Sequence, residues 1–226
     1  MKKILTFIML IGILSLMSIQ AQETRQVNKI QNPYEKHVDI TAFGGYSWGD
    51  YYPAYEAEIK VNGTNYWGVG LGLSMTNKFA IEIQYQMMRP LVTIRPYLGS
   101  IIESDDIDVT SNWFLIGSVS ELPLSKSFHL FGYTGVGAVY NVPTKSKYDN
   151  LNLYKSTWAL GVALQGGFKY WITDRIALRG FAALNMPMQF GGVGFYLGTG
   201  GSGLGLNSYS SLFLFNLGGG LTFRMK

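Results

Sequence analysis

The 226-residue chain contains no cysteine. That excludes a disulfide framework, thiolate metal sites and a lipid anchor attached through a cysteine at a cleavage point. Charged residues are scarce, at 14%. The sequence pI near 9.1 does not indicate nucleic-acid binding, because no basic run is longer than two residues. Histidine is nearly absent as well, with only His37 and His129 to supply the usual acid–base group beside a nucleophile. Long apolar runs are missing after residue 17, so no later segment reads as a membrane-spanning helix. What the chain has in quantity is glycine, 28 residues, and aromatic side chains, 15%.

Residues 1–21 read as a removable export signal. Lys2 and Lys3 form the positive start, Ile4 to Met17 is apolar apart from Thr6, Gly12 and Ser15, and Ala21 precedes the expected cleavage point. Without Lys2 and Lys3 the 18 basic residues fall to 16 against 14 acidic, a net charge of +2. Residues 22–37 are polar and aperiodic and read as a flexible leader, with Pro33 opposing regular structure. Residues 38–226 form the remaining unit.

Within that unit three stretches resemble one another: Thr76-Asn77-Lys78-Phe79, Ser125-Lys126-Ser127-Phe128 and Thr173-Asp174-Arg175-Ile176. Their starts lie 49 and 48 residues apart. Each is flanked by period-2 hydrophobicity and reads as a tight turn closing a hairpin. Eight strands follow, at about 38–48, 66–75, 79–88, 109–122, 128–140, 158–170, 176–184 and 209–223. The sixth is the clearest: Trp158, Leu160, Val162, Leu164, Phe168 and Tyr170 alternate with Ala159, Gly161, Ala163, Gln165, Gly167 and Lys169. The fifth has no clear facing. In the fourth, Trp113, Leu115, Gly117 and Val119 align as the apolar face.

One face of each clear strand is large and apolar, while the other is small or polar with an occasional charge. A soluble sandwich would carry many Lys and Glu on its outer face. A small, polar second face suits the cramped inside of an eight-stranded barrel, and closure leaves no unpaired edge in lipid. The expected fold is therefore all-β, an eight-stranded antiparallel transmembrane β-barrel with short turns at one end and longer loops at the other. Two aromatic girdles are expected at the membrane interfaces. Trp48, Trp67, Trp113 and Trp158 are assigned to the outer girdle, and Trp171, Phe79, Phe128 and Phe223 to the periplasmic one. The external loops are expected over residues 49–65, 89–108, 141–155 and 190–208.

The turn repeats, such as Trp171-Ile-Thr-Asp-Arg-Ile-Ala-Leu-Arg179, and the aromatic-rich last strand resemble the outer membrane protein β-barrel domain family, the small OmpX-, OmpW- and OmpA-barrel-like proteins. The resemblance covers residues 38–226. One departure is that Phe223 is followed by Arg224-Met225-Lys226, where such barrels often end on an aromatic residue. The resemblance implies an integral protein of the bacterial outer membrane, contacting its lipid and lipopolysaccharide. The expected protein is a monomer without cofactor, and its two histidines speak against an enzyme. Both histidines are expected at the periplasmic end, away from the outer leaflet where the small enzymes of this architecture work.

Three functional classes follow. The first is surface binding or an envelope-structural role through the external loops, with a surface ligand or envelope protein as partner. Tyr51, Tyr52, Tyr55, Tyr148 and Tyr154 are its candidate contacts. The second is a carrier or narrow channel for a small hydrophobic ligand along a glycine-lined wall that includes Gly70 and Gly161. The third is an accessory subunit of a secretion complex.

Glu82, Lys169 and Arg179 face inward and are expected to form an ion-pair network plugging the barrel, with Glu121 as a further member. Glu103, Asp105, Asp106 and Asp108 are hard oxygen ligands at close spacing in the second loop. They make a weak Ca²⁺ candidate, because the EF-hand spacing and its glycine are missing. Gly198-Thr-Gly200-Gly-Ser-Gly203 matches a dinucleotide motif by letter only, without the strand–turn–helix it needs.

Overall fold

A computed structural model describes residues 36–53, 57–76, 78–96, 105–146, 156–188 and 212–225. The export signal, most of the leader, Tyr55, Glu103, Tyr148, Tyr154 and the glycine-rich segment at 191–205 lie outside the described residues.

Among the described residues eleven strands form one sheet: β1 (Val38–Ser47), β2 (Asp50–Pro53), β3 (Ala57–Val61), β4 (Thr64–Thr76), β5 (Phe79–Met88), β6 (Leu91–Pro96), β7 (Asp105–Pro123), β8 (Phe128–Ser146), β9 (Thr157–Trp171), β10 (Ile176–Met188) and β11 (Leu214–Met225). Eight of them close on themselves in the order β1-β4-β5-β7-β8-β9-β10-β11, with every neighbouring pair antiparallel. The seam joins the first strand to the last, running from Val38 opposite Met225 to Ser47 opposite Asn216. Closure satisfies the edge N–H and C=O groups that an open sheet would leave bare in lipid.

The three short turns are held by hydroxyls. Thr76 Oγ1 accepts from Lys78 N at 3.3 Å, and Ser125 Oγ accepts from Phe128 N at 3.0 Å. Thr173 Oγ1 accepts from Arg175 N at 3.2 Å and Ile176 N at 3.1 Å. These are the local side-chain bonds that make Ser and Thr turn residues.

The wall is apolar outside and polar or small inside. Trp67, Val69, Leu71, Leu73 and Met75 of β4 stand exposed, whereas Glu82, Gln84 and Gln86 of β5 are buried. An exterior of Ile, Leu, Phe and Val over a charged interior inverts the soluble arrangement and suits lipid.

The other end differs from the sequence expectation. Much of the first two loops continues the barrel wall as strands: β2 extends β1, β3 precedes β4, β6 extends β5, and β7 and β8 run 19 residues each. Three breaks separate the extension from the barrel, at Trp48-Gly49, Asn62-Gly63 and Arg89-Pro90. The ladder bridges them: Asn62 N donates to Leu91 O at 2.9 Å and Val109 N to Pro90 O at 3.1 Å. Gly49 is required there, since a Cβ would lie 2.1 Å from the Val61 carbonyl oxygen. Ile59, Val61, Val92, Ile94, Ile107 and Val109 form the buried face of this extension, continuous with the barrel interior. Their alternation with Glu58, Lys60, Thr93, Arg95 and Asp108 is the period-2 signal of these strands, carried on short segments rich in charge.

Candidate functional site

The barrel interior is built in layers. At the short-turn end Asp39 (β1) accepts from Arg224 Nε at 3.0 Å and Nη2 at 3.1 Å. Lys169 (β9) lies 3.7 Å from Asp39 and donates to Glu121 (β7). His129 is 3.4 Å from Glu121, and His37 is 3.8 Å from Asp39. The Arg224 guanidinium stacks 3.9 Å over the Trp171 ring.

The next layer crosses the lumen. Arg179 (β10) donates to Glu82 (β5) Oε1 at 3.0 Å and Oε2 at 3.2 Å, and to Gln165 at 3.3 Å. Gln84 donates to Glu82 at 2.6 Å, and Gln165 donates to Gln84 at 2.9 Å. The guanidinium also lies 4.2 Å from the centroid of the Phe131 ring. Two buried charges are tolerable here because each meets an opposite charge and further hydrogen bonds. Above this pair Asn185 donates to Gln86 at 3.3 Å. Among the described residues Tyr66 Oη, Gln86 Nε2, Asn185 Oδ1 and the Asn216 amide have no hydrogen-bond partner, which makes this the layer with spare polar capacity. Trp113, Leu115, Met88 and Val139 close the interior toward the loop end.

Ring and glycine alternate around the inner wall. Phe43 sits between Gly68 of β4 and Gly220 of β11. Phe181 sits between Gly167 of β9 and Gly218 of β11. A Cβ at Gly68 would come within 2.5 Å of the Phe43 ring. The glycines therefore make room for aromatic side chains from neighbouring strands. The wall proposed for a hydrophobic ligand is filled in this way. Gly161 lies under Trp113 and Val139, with a Cβ there 2.9 and 2.7 Å from their side chains, and Gly70 lies 2.9 Å from the Glu82 carboxylate by the same measure.

Two tryptophans leave the girdles assigned from the sequence. Trp113 is 1% exposed and faces inward. Its strand pairs with β5 so that Glu82 lies opposite Gly117 and Gln86 opposite Trp113, and opposed residues share a face. Phe114 and Ile116 are the lipid-facing residues of β7. Trp171 is 8% exposed and also faces inward, two residues beyond Lys169 on the same face. Trp48, Trp67 and Trp158 are exposed on the outside, as are Phe79 and Phe223, while Phe128 stacks on lipid-facing Phe168 at 5.7 Å. Tyr140 stacks on Trp158 at 4.5 Å, Trp67 meets Tyr85 edge-on at 5.7 Å, and Tyr85 lies tilted against Phe114 at 5.2 Å. The undecided fifth strand, β8, points His129, Phe131, Tyr133, Gly135, Gly137 and Val139 inward, in register with the inner face of β9.

Three members of the acidic set stand on a strand and not in a loop. Asp105, Asp106 and Asp108 lie on β7, where alternation puts buried Asp105 on the face opposite Asp106 and Asp108. Among the described residues no group of three or more His, Asp or Glu is arranged to hold a metal ion. Tyr51 is exposed on β2.

Sequence reasoning left five large inward rings unassigned: Phe43, Tyr66, Phe131, Tyr133 and Phe181. Parity along each strand was the available signal, since each falls on the phase of an inward charge or amide in its own strand or the neighbouring one.

No family model and no curated protein matches the chain. Solved structures do. Neisserial surface protein A matches with a TM-score of 0.52 at 9% identity, covering 86% of this chain and 100% of that one. The N-terminal β-barrel domain of Pseudomonas aeruginosa OprF gives 0.45 at 12% identity, over 84% and 100%. Ail, the attachment invasion locus protein of Yersinia pestis, gives 0.46 at 11%, over 84% and 99%. The likeness to the neisserial protein concerns the fold, and with the closed seam and inverted polarity it makes this chain an eight-stranded transmembrane β-barrel of the kind known from bacterial outer membranes.

Proposed function

We propose that this protein is a non-enzymatic, monomeric barrel of the bacterial outer membrane that acts through its loop end, in surface recognition or in ordering the envelope. The observation that carries this reading is the contrast between the two parts of the molecule. Among the described residues the lumen is occupied by a crossed ion pair, an amide layer and aromatic rings, which counts against a channel role. The wall is instead prolonged at one end into a sheet of β2, β3, β6, β7 and β8, with Tyr51, Lys60, Arg95 and Asp108 exposed on it. Exposed tyrosine and arginine, here Tyr51 and Arg95, are enriched in recognition surfaces. The filled glycine wall counts against the hydrophobic-carrier reading.

The test has two parts. A small epitope placed at 54–56, between β2 and β3, is expected to be reached by an antibody on intact cells. Replacing residues 50–61 with a short turn, and shortening β6 to match, should abolish binding of cells to protein and glycan arrays while the barrel still folds. Binding that survives this replacement, or an epitope reached only after the envelope is opened, would refute the proposal.

A further inference from the structure

We propose that the short-turn rim is a binding surface for anionic glycerophospholipid headgroups, such as phosphatidylglycerol, in the leaflet it borders. This rests on the membrane-barrel reading above and adds a ligand class to the end of the molecule that reading leaves idle.

Four cations stand exposed at this rim: Lys36, Lys78, Lys126 and Arg175. The strand order spaces them around the circumference. Lys36 leads into β1 at the seam, Lys78 lies in the β4–β5 turn, Lys126 in the β7–β8 turn and Arg175 in the β9–β10 turn. Each quarter of the rim carries one. Among the described residues none of the four takes part in an ion pair, whereas Lys169 and Arg224 just inside the mouth are spent on Glu121 and Asp39. Asp174 is the one exposed acid described at this rim, so the four cations leave a net +3 there. Among the described residues the opposite end does not share the excess: Asp50, Glu58, Asp106 and Asp108 stand against Lys60, Arg89 and Arg95.

The cations are also set at a membrane depth. Lys78 precedes Phe79, Lys126 follows Leu124 by two residues, and Arg175 follows Ile172 by three, each of these apolar side chains being exposed. An apolar residue sunk in the acyl region with a cation above it at phosphate level is the arrangement of an interfacial anchor. The turn hydroxyls of Thr76, Ser125 and Thr173 hold the turn backbones that carry the three cations. Charge complementarity selects a phosphate headgroup without a compensating amine, so phosphatidylglycerol is favoured over phosphatidylethanolamine.

The experiment places the full-length protein in nanodiscs of equal phosphatidylglycerol and phosphatidylethanolamine and counts retained lipids by native mass spectrometry. Folding is followed in parallel by strand circular dichroism and heat-modifiable gel migration. Wild type should retain phosphatidylglycerol in preference, and each of K78Q, K126Q and R175Q should lower that preference by about a quarter, as loss of one of four sites. The triple variant K78Q/K126Q/R175Q should lose most of it, the loop-end pair K60Q/R95Q should leave it unchanged, and the single rim variants serve if the triple variant fails to fold. Insertion without lipid preference, or a preference indifferent to the rim variants, overturns this inference alone. A protein retained at the rim in place of lipid overturns it in favour of a protein partner. Failure to insert into any bilayer overturns the membrane reading together with it.

Discussion

Replacing Arg179 with methionine removes the cation that crosses the lumen. Arg179 makes two hydrogen bonds to Glu82 and one to Gln165, and it is 3% exposed. At an effective dielectric constant of 20, a 3.0 Å contact carries roughly 5 kcal/mol of gross attraction, part of it offset by desolvation. After the substitution Glu82 keeps the Gln84 amide as a hydrogen-bond donor but has no opposite charge. Removing one partner of a buried pair costs about 3–5 kcal/mol, because the remaining charge is left uncompensated. Glu82→Gln combined with Arg179→Met removes both charges and should recover at least half of that loss. Urea unfolding from lipid vesicles, followed by tryptophan fluorescence, supplies the four free energies of the cycle. A single-variant loss below about 1 kcal/mol, or a double variant equal to the sum of the singles, would refute the reasoning.

Further outcomes follow from the same interior. Gly137→Ala should destabilise by about 1–3 kcal/mol, because a Cβ would lie 1.8 Å from the Phe114 carbonyl oxygen. Gly166→Ala, with nothing within 4 Å, should change stability by less than about 0.5 kcal/mol in the same urea assay. Single-tryptophan variants in bilayers of brominated lipid should show strong quenching for Trp67 and Trp158 and little for Trp113 and Trp171. Quenching of Trp113 as strong as that of Trp67 would reverse the facing of β7. Planar-bilayer recordings should show no stable conductance from the folded wild type, and a steady open level would contradict the filled lumen.

The eight barrel strands and three turns were legible because alternation, turn residues and spacing agree with one another along 38–225. The facing of β7 was not. Its two faces, Trp113-Leu115-Val119 and Phe114-Ile116, are both apolar, so only pairing with β5 decides which one meets lipid. Trp171 was different, since its phase with Lys169 already placed it inside and its aromatic character at a strand end outweighed that evidence. The sheet extension was hidden by composition. Glu58, Lys60, Arg95 and Asp108 make those segments read as loop, although Ile59, Val61, Val92 and Ile94 keep the strand period. The ion-pair members lie on inner faces by parity alone, but which acid meets which base depends on strand order around the closed barrel. Glu82 and Arg179 are 97 residues apart and on opposite walls, a relation that no local pattern encodes.

The central claim is a closed barrel, and its seam is where it can be tested most directly. In nanodiscs, NMR should show cross-strand contacts between the amides and α-protons of β1 and β11 in the register that places Thr41 opposite Thr222 and Gly44 opposite Gly219. The amides of both strands should resist exchange for hours. Absence of these contacts, with rapid exchange along β1 and β11 while β8 and β9 stay protected, would contradict closure.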